Sequence, residues 1–248
     1  MNIDFLKNRS TVRSYSSAQI SENLLEELLE IACRTSTTGN MQLYSIVVTR
    51  EELGKSRLAT FHFNQPMVSK APVVITFCAD YNRFTKWCEL NDTDSGCDNF
   101  QAFITAAIDA LLVAQTFCVA AEAKGLGICY LGTTTYNAKE IAEVLELPKF
   151  VMPITTITLG YPAGYAQKTD RLSLRAVVHN EKYTDYSTEE IKALYKPKEN
   201  IENNKKFVAE NGKNNLAQVY AEVRYPRENF EIFSTKLIEA IREQGFEF

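Results

Sequence analysis

The longest apolar stretch of the 248-residue chain runs from Phe100 to Ala123 and constrains the fold more than any other segment. It is long enough to cross a membrane, yet it contains Gln101, Asp109 and Gln115 and lacks a flanking cluster of positive charges. A helix that is apolar on all sides and carries a few polar groups is typical of the interior of a soluble domain. We therefore predict one long buried helix here, which ends at Gly125.

Shorter apolar segments on both sides of this helix supply the rest of the predicted core. β-Branched and aromatic runs predict strands at residues 44–49, 72–79, 127–132 and 154–160. The second of these is apolar on both faces and should be central. Asn2 could cap a first short helix through Leu6. Helical spacing predicts further helices at residues 21–32, with Ser21 as N-cap, and at 137–145, 187–195 and 229–242. The layout is that of an α+β domain.

Three segments lack a strong periodic pattern. Residues 81–98 are polar and acidic and are predicted to form an insertion, residues 176–179 an edge strand, and residues 196–206 a solvated connection. No repeat or low-complexity linker forces a domain boundary. We therefore expect a single domain over residues 1–248, with the insertion at 81–98 and a C-terminal extension from about 185 to 248.

Charge and cysteine content argue against several classes of function. The net charge of −4, from 27 basic and 31 acidic side chains, gives no basic field for a nucleic-acid partner. The polar N-terminus does not have the pattern of a signal peptide. Six cysteines without a CxxC pair and only two histidines give no metal-ligand spacing. We expect a cytoplasmic protein with no metal, no nucleic-acid partner and no membrane segment.

The cysteines divide into two groups by their surroundings in the sequence. Four lie in apolar periodic segments and are expected in the core: Cys33, Cys78, Cys118 and Cys129. Cys88 and Cys97 lie in the polar insertion, where they could bridge or react. Neither group has a neighbouring base at a spacing typical of nucleophilic catalysis.

Two arginines four residues apart precede the helix predicted at 21–32, in the segment Arg-Ser-Thr-Val-Arg-Ser-Tyr (residues 9–15). Guanidinium groups form bidentate bonds to phosphate oxygens, and hydroxyl groups satisfy the remaining oxygens. The pattern fits a phosphate site formed by Arg9, Ser10, Thr11 and Arg13. A solvated basic turn is the alternative, and composition alone favours it.

Several motifs, in order along nearly the whole chain, resemble the nitroreductase family. The resemblance is greatest to the NADPH-dependent branch that includes flavin reductase P and the major oxygen-insensitive nitroreductase. The matching pieces are residues 9–15, Ser-Thr-Thr-Gly-Asn-Met-Gln at 36–42, Gln65, Phe-Cys-Ala-Asp-Tyr-Asn-Arg at 77–83, Ala-Ala-Glu-Ala-Lys-Gly-Leu-Gly at 120–127, Tyr-Leu-Gly at 130–132, and Leu-Gly-Tyr-Pro at 159–162. Each piece alone is weak, but their order and spacing together are specific.

Two other enzyme classes fit the sequence poorly. Gly125 and Gly127 could begin a dinucleotide-binding fingerprint, but Tyr130 stands at the third glycine position, and these glycines follow a helix rather than a strand. A hydrolase would need a nucleophile and a base. There is no GxSxG motif, and His62 and His179 are more typical of packed structural histidines.

The resemblance implies an α+β fold with a mixed, mainly antiparallel sheet wrapped by helices, one long buried central helix, and an intimate homodimer. It implies FMN in the dimer interface, with the phosphate on Arg9, Ser10, Thr11 and Arg13. The flavin ring would lie near Gln65 and Gly132. The remaining implied contacts, some from either subunit, are Thr37, Thr38, Gly39, Asn40, Gln42, Tyr130, Thr133, Lys168 and Arg171.

The resemblance also implies the chemistry. Hydride would pass from NAD(P)H through flavin N5 to a nitroaromatic, a quinone or free flavin, in a ping-pong sequence. No side chain is expected to act as a catalytic acid or base, because the cofactor performs the reaction and the protein binds and orients. A fixed cation such as Lys168 or Arg171 would stabilise negative charge near N1 and O2 of the reduced ring.

Three positions depart from the family pattern. Ser10 stands where the family usually has a second arginine, Thr133 replaces a usual glycine, and Lys168 is displaced by one residue, with Thr169 in its place. These departures keep two alternatives open. One is a flavin-binding module of the same fold with little or no turnover, and the other is an α+β domain that binds no flavin.

Overall fold

The computed structural model describes residues 3–248 of the chain. The strands are β1 Tyr44–Thr49, β2 Val73–Asp80, β3 Gly127–Leu131 and β4 Val151–Gly160. The α-helices are α1 Glu22–Ala32, α2 Glu52–Phe61, α3 Pro66–Lys70, α4 Asn82–Glu89, α5 Phe100–Ala123, α6 Ala138–Val144, α7 Thr188–Glu199, α8 Glu202–Glu210, α9 Leu216–Gln218 and α10 Arg227–Glu243. Asn2, which the sequence suggests as the cap of a first short helix, lies outside the described residues.

Short irregular helices complete the described elements. Turns of 3-10 helix occur at Asp4–Asn8, Thr38–Asn40, Thr135–Asn137 and Leu174–Ala176, and α9 continues into a π-helix at Val219–Arg224. The chain forms two compact units. The first contains the residues up to Lys168 together with Phe233–Phe248, and the second contains Thr169–Ile232. The single domain and the extension from about residue 185 stay predictions.

The sheet of the first unit has the strand order β1-β2-β4-β3. All three neighbouring pairs are antiparallel, so the described sheet lacks the parallel component of the mixed sheet that the family resemblance implies. Every residue of β2 is buried, which confirms the prediction of a central strand. Pro153 of β4 lies opposite Cys78, where the β2–β4 register shifts. A bulge accommodates a proline that lacks an N–H, and it explains why β4 begins earlier than the predicted residue 154.

Helix α5 is the long buried helix that the sequence predicts. The Asn99 side chain caps it by accepting a hydrogen bond from the Ala102 N–H at 3.1 Å. The helix is long and apolar enough to cross a membrane by length and composition, but it packs against the sheet and α1. Phe117 is fully buried, with its ring 5.8 Å from that of Phe77 on β2. Burying a side chain of this size contributes about 2–3 kcal/mol.

Two glycines allow the N-terminal segment to lie close to the sheet. A Cβ added to Gly127 would lie 2.5 Å from the Val12 side chain, and one added to Gly160 would lie 2.7 Å from Tyr15. The Val12 N–H donates to the Ile128 carbonyl at 3.0 Å. The segment that carries Arg9 to Arg13 is therefore fixed against the start of β3 by close backbone contact.

Several helices and one strand differ from the sequence predictions. The sequence did not predict α2 and α3. The predicted polar insertion at 81–98 contains α4, in which the ring centroids of Phe84 and Trp87 are 6.0 Å apart. The edge strand at 176–179 is wrong. Residues Leu174–Ala176 form a 3-10 turn instead, and Val177 and Val178 are exposed.

The second unit is mostly helical. Ser187 caps α7 in a capping box with Glu190, as its position predicts, but the helix continues past Pro197 to Glu199. The solvated connection predicted at 196–206 is wrong, because α8 begins at Glu202. The polar composition of this segment led to the error. Two ion pairs at helical spacing, Lys205–Glu202 and Lys206–Glu210, help to stabilise the helix despite that composition.

The cysteine predictions are partly wrong. Cys78, Cys118 and Cys129 are buried, as expected, whereas Cys33 is exposed at the end of α1. Cys88 and Cys97 are buried because α4 folds part of the predicted insertion into the core. All six are free thiols.

We predict that Gly127→Ala lowers the free energy of unfolding by about 1–3 kcal/mol, because its Cβ would overlap Val12 in a packed site. Gly164→Ala is the matched control, since nothing lies within 4 Å of a Cβ built there, and it should change stability by no more than about 0.5 kcal/mol. Urea denaturation measures both. Equal effects of the two substitutions would contradict the close approach of the N-terminal segment.

Candidate functional site

Arg9 is held by a carboxylate on α5. Its Nε lies 3.0 Å from Glu122 Oε1 and 3.2 Å from Oε2, and its Nη2 lies 2.9 Å from Oε1. The hydrogen bonds to Glu122 raise the pKa of Arg9. Glu122 is largely buried, so the pair is fixed and the charge of Arg9 is locally balanced. The remaining guanidinium N–H groups of Arg9 are still available as donors.

Arg13 differs from Arg9 in its surroundings. It is exposed and pairs with no carboxylate of residues 3–248, and its guanidinium lies beside the Cys129 thiol on β3. Ser10 and Thr11 are half-buried, and their hydroxyl groups have no hydrogen-bond partner within the described chain. An unpaired guanidinium next to two unpartnered hydroxyls is the donor set that a phosphate requires.

Gly132, just after β3, borders open space. It is exposed, and a Cβ added there would have no heavy atom within 4 Å, unlike Gly127 and Gly160. Tyr130, two residues earlier, is half-buried and donates through its hydroxyl to Gln115 Oε1 at 3.3 Å. Burial raises the pKa of this phenol, which stays neutral. A flat ligand could approach the bare backbone at Gly132 without displacing a side chain.

Thr133 and His62 form a contact that the sequence did not predict. His62, at the end of α2, is fully buried, and its Nδ1 shares a hydrogen bond of 2.7 Å with Thr133 Oγ1. Its Nε2 is buried without a partner among the described residues. Burial lowers the pKa of His62 from 6.5 to about 4, so the ring is neutral near pH 7. The apolar neighbours Phe61 and Phe63 had favoured a packing role for this histidine.

Gln65 lies in the same segment as His62. It is half-buried, precedes α3, and makes no side-chain cap bond. Phe63 and Asn64 before it have φ values of 55° and 52°, in the left-handed region that side chains with a Cβ seldom adopt. The Asn137 side chain donates to the Phe61 carbonyl at 2.7 Å. The segment from 61 to 65 is thus joined to the segment that follows β3.

The loop predicted to contact the flavin, residues 36–42, is held by Asp109 in the middle of α5. This fully buried carboxylate accepts hydrogen bonds from the Thr38 N–H at 2.9 Å, the Thr38 hydroxyl at 3.2 Å and the Leu43 N–H at 3.2 Å. The sequence alone did not predict this role for Asp109. An isolated acidic residue in an apolar helix is the signal that could have identified it.

The loop itself is exposed and has an unusual backbone. Gly39, Asn40 and Gln42 have φ values of 55°, 57° and 53°. The Gln42 side chain donates to the Asn40 carbonyl at 2.7 Å, while Thr37, half-buried, precedes the 3-10 turn without capping it. Left-handed residues held by a buried carboxylate are typical of loops that serve a function.

The predicted site residues form two groups within one chain. Asp109 and Glu122 are thirteen positions apart on α5, which places them about 20 Å apart along the helix axis. The loop of residues 37–42 adjoins the first carboxylate, and Arg9 adjoins the second. Within one chain the loop and the segment of Arg9 to Arg13 therefore lie at separate places.

Lys168 and Arg171 lie in different units. The Lys168 ammonium donates to Asn8 Oδ1 at 3.5 Å, so it lies beside the start of the segment of Arg9 to Arg13. Arg171 belongs to the second unit, where its Nη1 donates to Thr169 Oγ1 at 2.7 Å and to the Asp170 carbonyl at 2.9 Å. The predicted role of Arg171 stays a prediction.

A cavity of about 930 Å³ lies elsewhere, between α1 and the edge of β1. Carboxylates dominate its polar lining, from Glu22, Glu26, Glu30 and Glu51. Its one arginine, Arg50, is already paired with Glu22 at 2.5 Å. An anionic cofactor would be repelled here, so cavity size does not locate the functional site.

The thiols and acidic groups offer no competing chemistry. Burial raises the pKa of Cys129, Cys78 and Cys118, the last to about 12, so none of these three forms a thiolate near neutral pH. Between residues 3 and 248, no group of three or more His, Cys, Asp or Glu side chains is arranged to hold a metal ion. Arg13, Ser10 and Thr11 offer donors of the kind that bind a phosphate, and the backbone at Gly132 is open to a flat ring; FMN is a ligand that has both parts.

We predict that His62 makes the free energy of unfolding depend on pH. The unfolded chain binds a proton at this residue below pH 6.5, while the folded chain resists protonation down to pH about 4. His62 therefore favours the fold above pH 6.5, and this contribution is lost as the pH falls towards 4. The stability of wild type relative to His62→Gln should fall by about 2 kcal/mol between pH 7 and pH 4.5. If the difference in stability between wild type and His62→Gln stays constant from pH 7 to pH 4.5, the imidazole is not buried in its neutral form.

Comparison with known proteins agrees with the fold and the motifs. Residues 6–161 match the Nitroreductase family. The chain is 32% identical over 192 residues to the Cr(VI) reductase of Pseudomonas sp. (strain G-1), covering 77% of this chain and 79% of that protein. It is 29% identical to the FMN reductase (NAD(P)H) of Bacillus subtilis (strain 168), covering 98% of this chain and 97% of that protein.

A solved structure from Bacteroides fragilis NCTC 9343 extends the similarity to the whole fold. It is 51% identical in sequence, with a TM-score of 0.97, and the match covers 99% of this chain and 100% of that one. The antiparallel sheet with its many helices is therefore an arrangement that this chain shares with solved relatives. With the family match over residues 6–161, these similarities show that the chain belongs to the nitroreductase family.

Proposed function

We propose that this protein is an FMN-dependent oxidoreductase that uses NAD(P)H to reduce small electron-poor acceptors such as quinones, nitroaromatic compounds or free flavin. The observation that carries the proposal is an N-terminal segment in which Arg13 lacks a carboxylate partner among residues 3–248 and the hydroxyls of Ser10 and Thr11 lack hydrogen-bond partners there. Membership of the nitroreductase family supports it, as does similarity to a B. subtilis protein named FMN reductase (NAD(P)H).

The phosphate of FMN would bind to the N-terminal segment. Arg13 has no carboxylate partner among residues 3–248, and the hydroxyl groups of Ser10 and Thr11 have no hydrogen-bond partner there. Arg9 contributes its remaining N–H groups while Glu122 fixes its orientation. Lys168, beside Asn8, adds positive charge at the same place. Ser10 replaces an arginine of the family pattern, so Arg13 carries more of the phosphate interaction than it would otherwise.

The flavin ring would lie against Gly132, with Gln65, Tyr130 and Thr133 around it. When bound, FMN accepts two electrons from NAD(P)H and passes them to the acceptor. The residues of this chain bind and orient: the bare backbone at Gly132 permits close approach, and the His62 contact fixes Thr133. Neutral Tyr130 and protonated thiols leave no obvious acid or base, consistent with a site in which no side chain needs to move a proton.

We infer that the protein acts as a homodimer. Ile108, Leu111 and Leu112 form an apolar stripe on α5 and are 50%, 47% and 43% exposed, and an exposed apolar stripe on a central helix favours association. The loop of residues 37–42 and the segment of Arg9 lie about 20 Å apart along α5 in one chain. A second copy packed along α5 would bring its loop to the flavin of the first.

The cellular location proposed is the cytoplasm. Six free cysteines suit a reducing compartment, and α5 is explained by its burial in the core rather than by a membrane. The alternative of a flavin-binding module with little turnover is favoured by Ser10, which lowers the charge at the phosphate. A turnover experiment separates the two.

Steady-state oxidation of NAD(P)H with a quinone tests the proposed function. Because the coenzyme and the acceptor would use the same face of one flavin, they should bind in turn, and double-reciprocal plots at several acceptor concentrations should be parallel. Intersecting lines would show that both bind together. Flavin binding without turnover above the rate of free FMN would favour the binding module instead.

We predict that Arg13→Ala weakens FMN binding by at least about tenfold, since a charge-assisted hydrogen bond contributes about 1.5–3 kcal/mol. Arg13→Lys should recover only part of this affinity, because lysine keeps the charge without the planar fork. Arg57→Ala is the matched control, an exposed arginine on α2 that also lacks an ion pair within the described chain. Fluorescence titration of the apoprotein with FMN measures all three.

Riboflavin distinguishes a phosphate contact from general damage at this site. It lacks the phosphate, so wild type and Arg13→Ala should bind it with similar low affinity. If riboflavin binding falls in parallel with FMN binding, Arg13 supports the fold rather than the phosphate, and the assignment is wrong.

A further inference from the structure

Three aromatic rings form a cluster, Phe63, Tyr136 and Phe233, and the Tyr136 N–H donates to the Thr133 carbonyl at 3.2 Å. Tyr136 and Phe233 are stacked, with centroids 4.3 Å apart and planes inclined by 10°. Phe63 meets Tyr136 at 6.5 Å and Phe233 at 6.2 Å, both with strongly inclined planes. Two of the rings are partly buried, but Phe63 is 54% exposed. The cluster therefore presents an aromatic surface to solvent.

Hydrogen bonds hold this aromatic cluster beside the site. His62 Nδ1 shares a hydrogen bond of 2.7 Å with Thr133 Oγ1, and the Asn137 side chain donates to the Phe61 carbonyl at 2.7 Å. The two residues before Phe63 are therefore both bonded to the segment after β3. Lys236 of α10 donates to Asn137 Oδ1 at 3.0 Å. Gly132, where the flavin ring would bind, precedes Thr133 directly. The segment that contains Phe63 is thus joined to the segment that begins at Gly132.

Three features of this arrangement oppose stability. Phe63 has a left-handed backbone with φ 55°, although its side chain is large. Its ring is half exposed to water. His62 Nε2 is buried without a partner in the described structure, which is unfavourable for a polar atom. Local features that oppose stability and recur at one place indicate a functional constraint rather than packing.

We propose that the aromatic cluster is the specificity-determining surface of the acceptor site, with Phe63 contacting the flat ring of an aromatic oxidant. The inference rests on the proposed function and assigns to Phe63 the preference for planar aromatic acceptors over inorganic oxidants. His62 is a positioning residue that acts through Thr133. Tyr136 and Phe233 support Phe63 from behind, through their own stacked contact.

The test compares Phe63→Ala with wild type, using a naphthoquinone and ferricyanide as alternative acceptors. An aromatic contact is lost only for the quinone, so its KM should rise about five- to tenfold. The KM for ferricyanide, and the anaerobic rate at which NAD(P)H reduces the bound flavin, should stay within about twofold of wild type. Phe63→Tyr should restore most of the quinone KM. Trp87 is another exposed aromatic residue. Trp87→Ala is therefore the matched control and should leave the KM for both acceptors unchanged.

His62→Gln tests the positioning role. It should raise the KM for the quinone by a larger factor than the KM for ferricyanide, whereas a general structural defect would affect both acceptors equally. If Phe63→Ala does not fold, Phe63→Leu keeps an apolar side chain of similar size and should show the same acceptor-dependent loss.

Two outcomes would overturn the inference: no change in the quinone KM of Phe63→Ala, or parallel losses with quinone and ferricyanide. These outcomes differ from a failure of the proposed function. In that case wild type itself would oxidise NAD(P)H with neither acceptor.

Discussion

Two carboxylates on one buried helix hold the segments from which the candidate site is built. Asp109, fully buried in α5, fixes the loop of residues 37–42 through three hydrogen bonds. Glu122, near the end of the same helix, fixes Arg9. Buried carboxylates are unfavourable unless they are well bonded, so each specifies one arrangement of its partner segment. The apolar contacts of α5 with the sheet and α1 set where both carboxylates lie.

Close backbone contact completes this scaffold on the side of β3. Gly127 and Gly160 leave no room for a side chain, so the N-terminal segment lies directly on the sheet. Gly132, which directly follows β3, faces open space instead. The difference separates glycines that the fold requires from one that a ligand would use. Arg13 is thereby held rigidly while its guanidinium stays without a carboxylate partner in the described chain.

The sequence predicted the elements whose signal is local. The apolar run of α5, the Ser21 cap of α1 and the β-branched run of β1 were all correctly placed. It did not predict α8, whose polar composition suggested a solvated connection. It also missed contacts between distant parts of the chain, because Asp109 and Thr38, like His62 and Thr133, are 71 residues apart. Residue types and their order suggested a phosphate site at Arg9 to Arg13, which stays a prediction, whereas the pairing of Arg9 with Glu122 required the fold.

The central claim is that this chain binds FMN through the unpaired donors of its N-terminal segment. The most direct measurement is the absorbance spectrum of the purified protein, followed by denaturation and quantification of the released cofactor. The account predicts a yellow protein that releases FMN at close to one per chain. A colourless protein that also leaves the fluorescence of added FMN unchanged would contradict it.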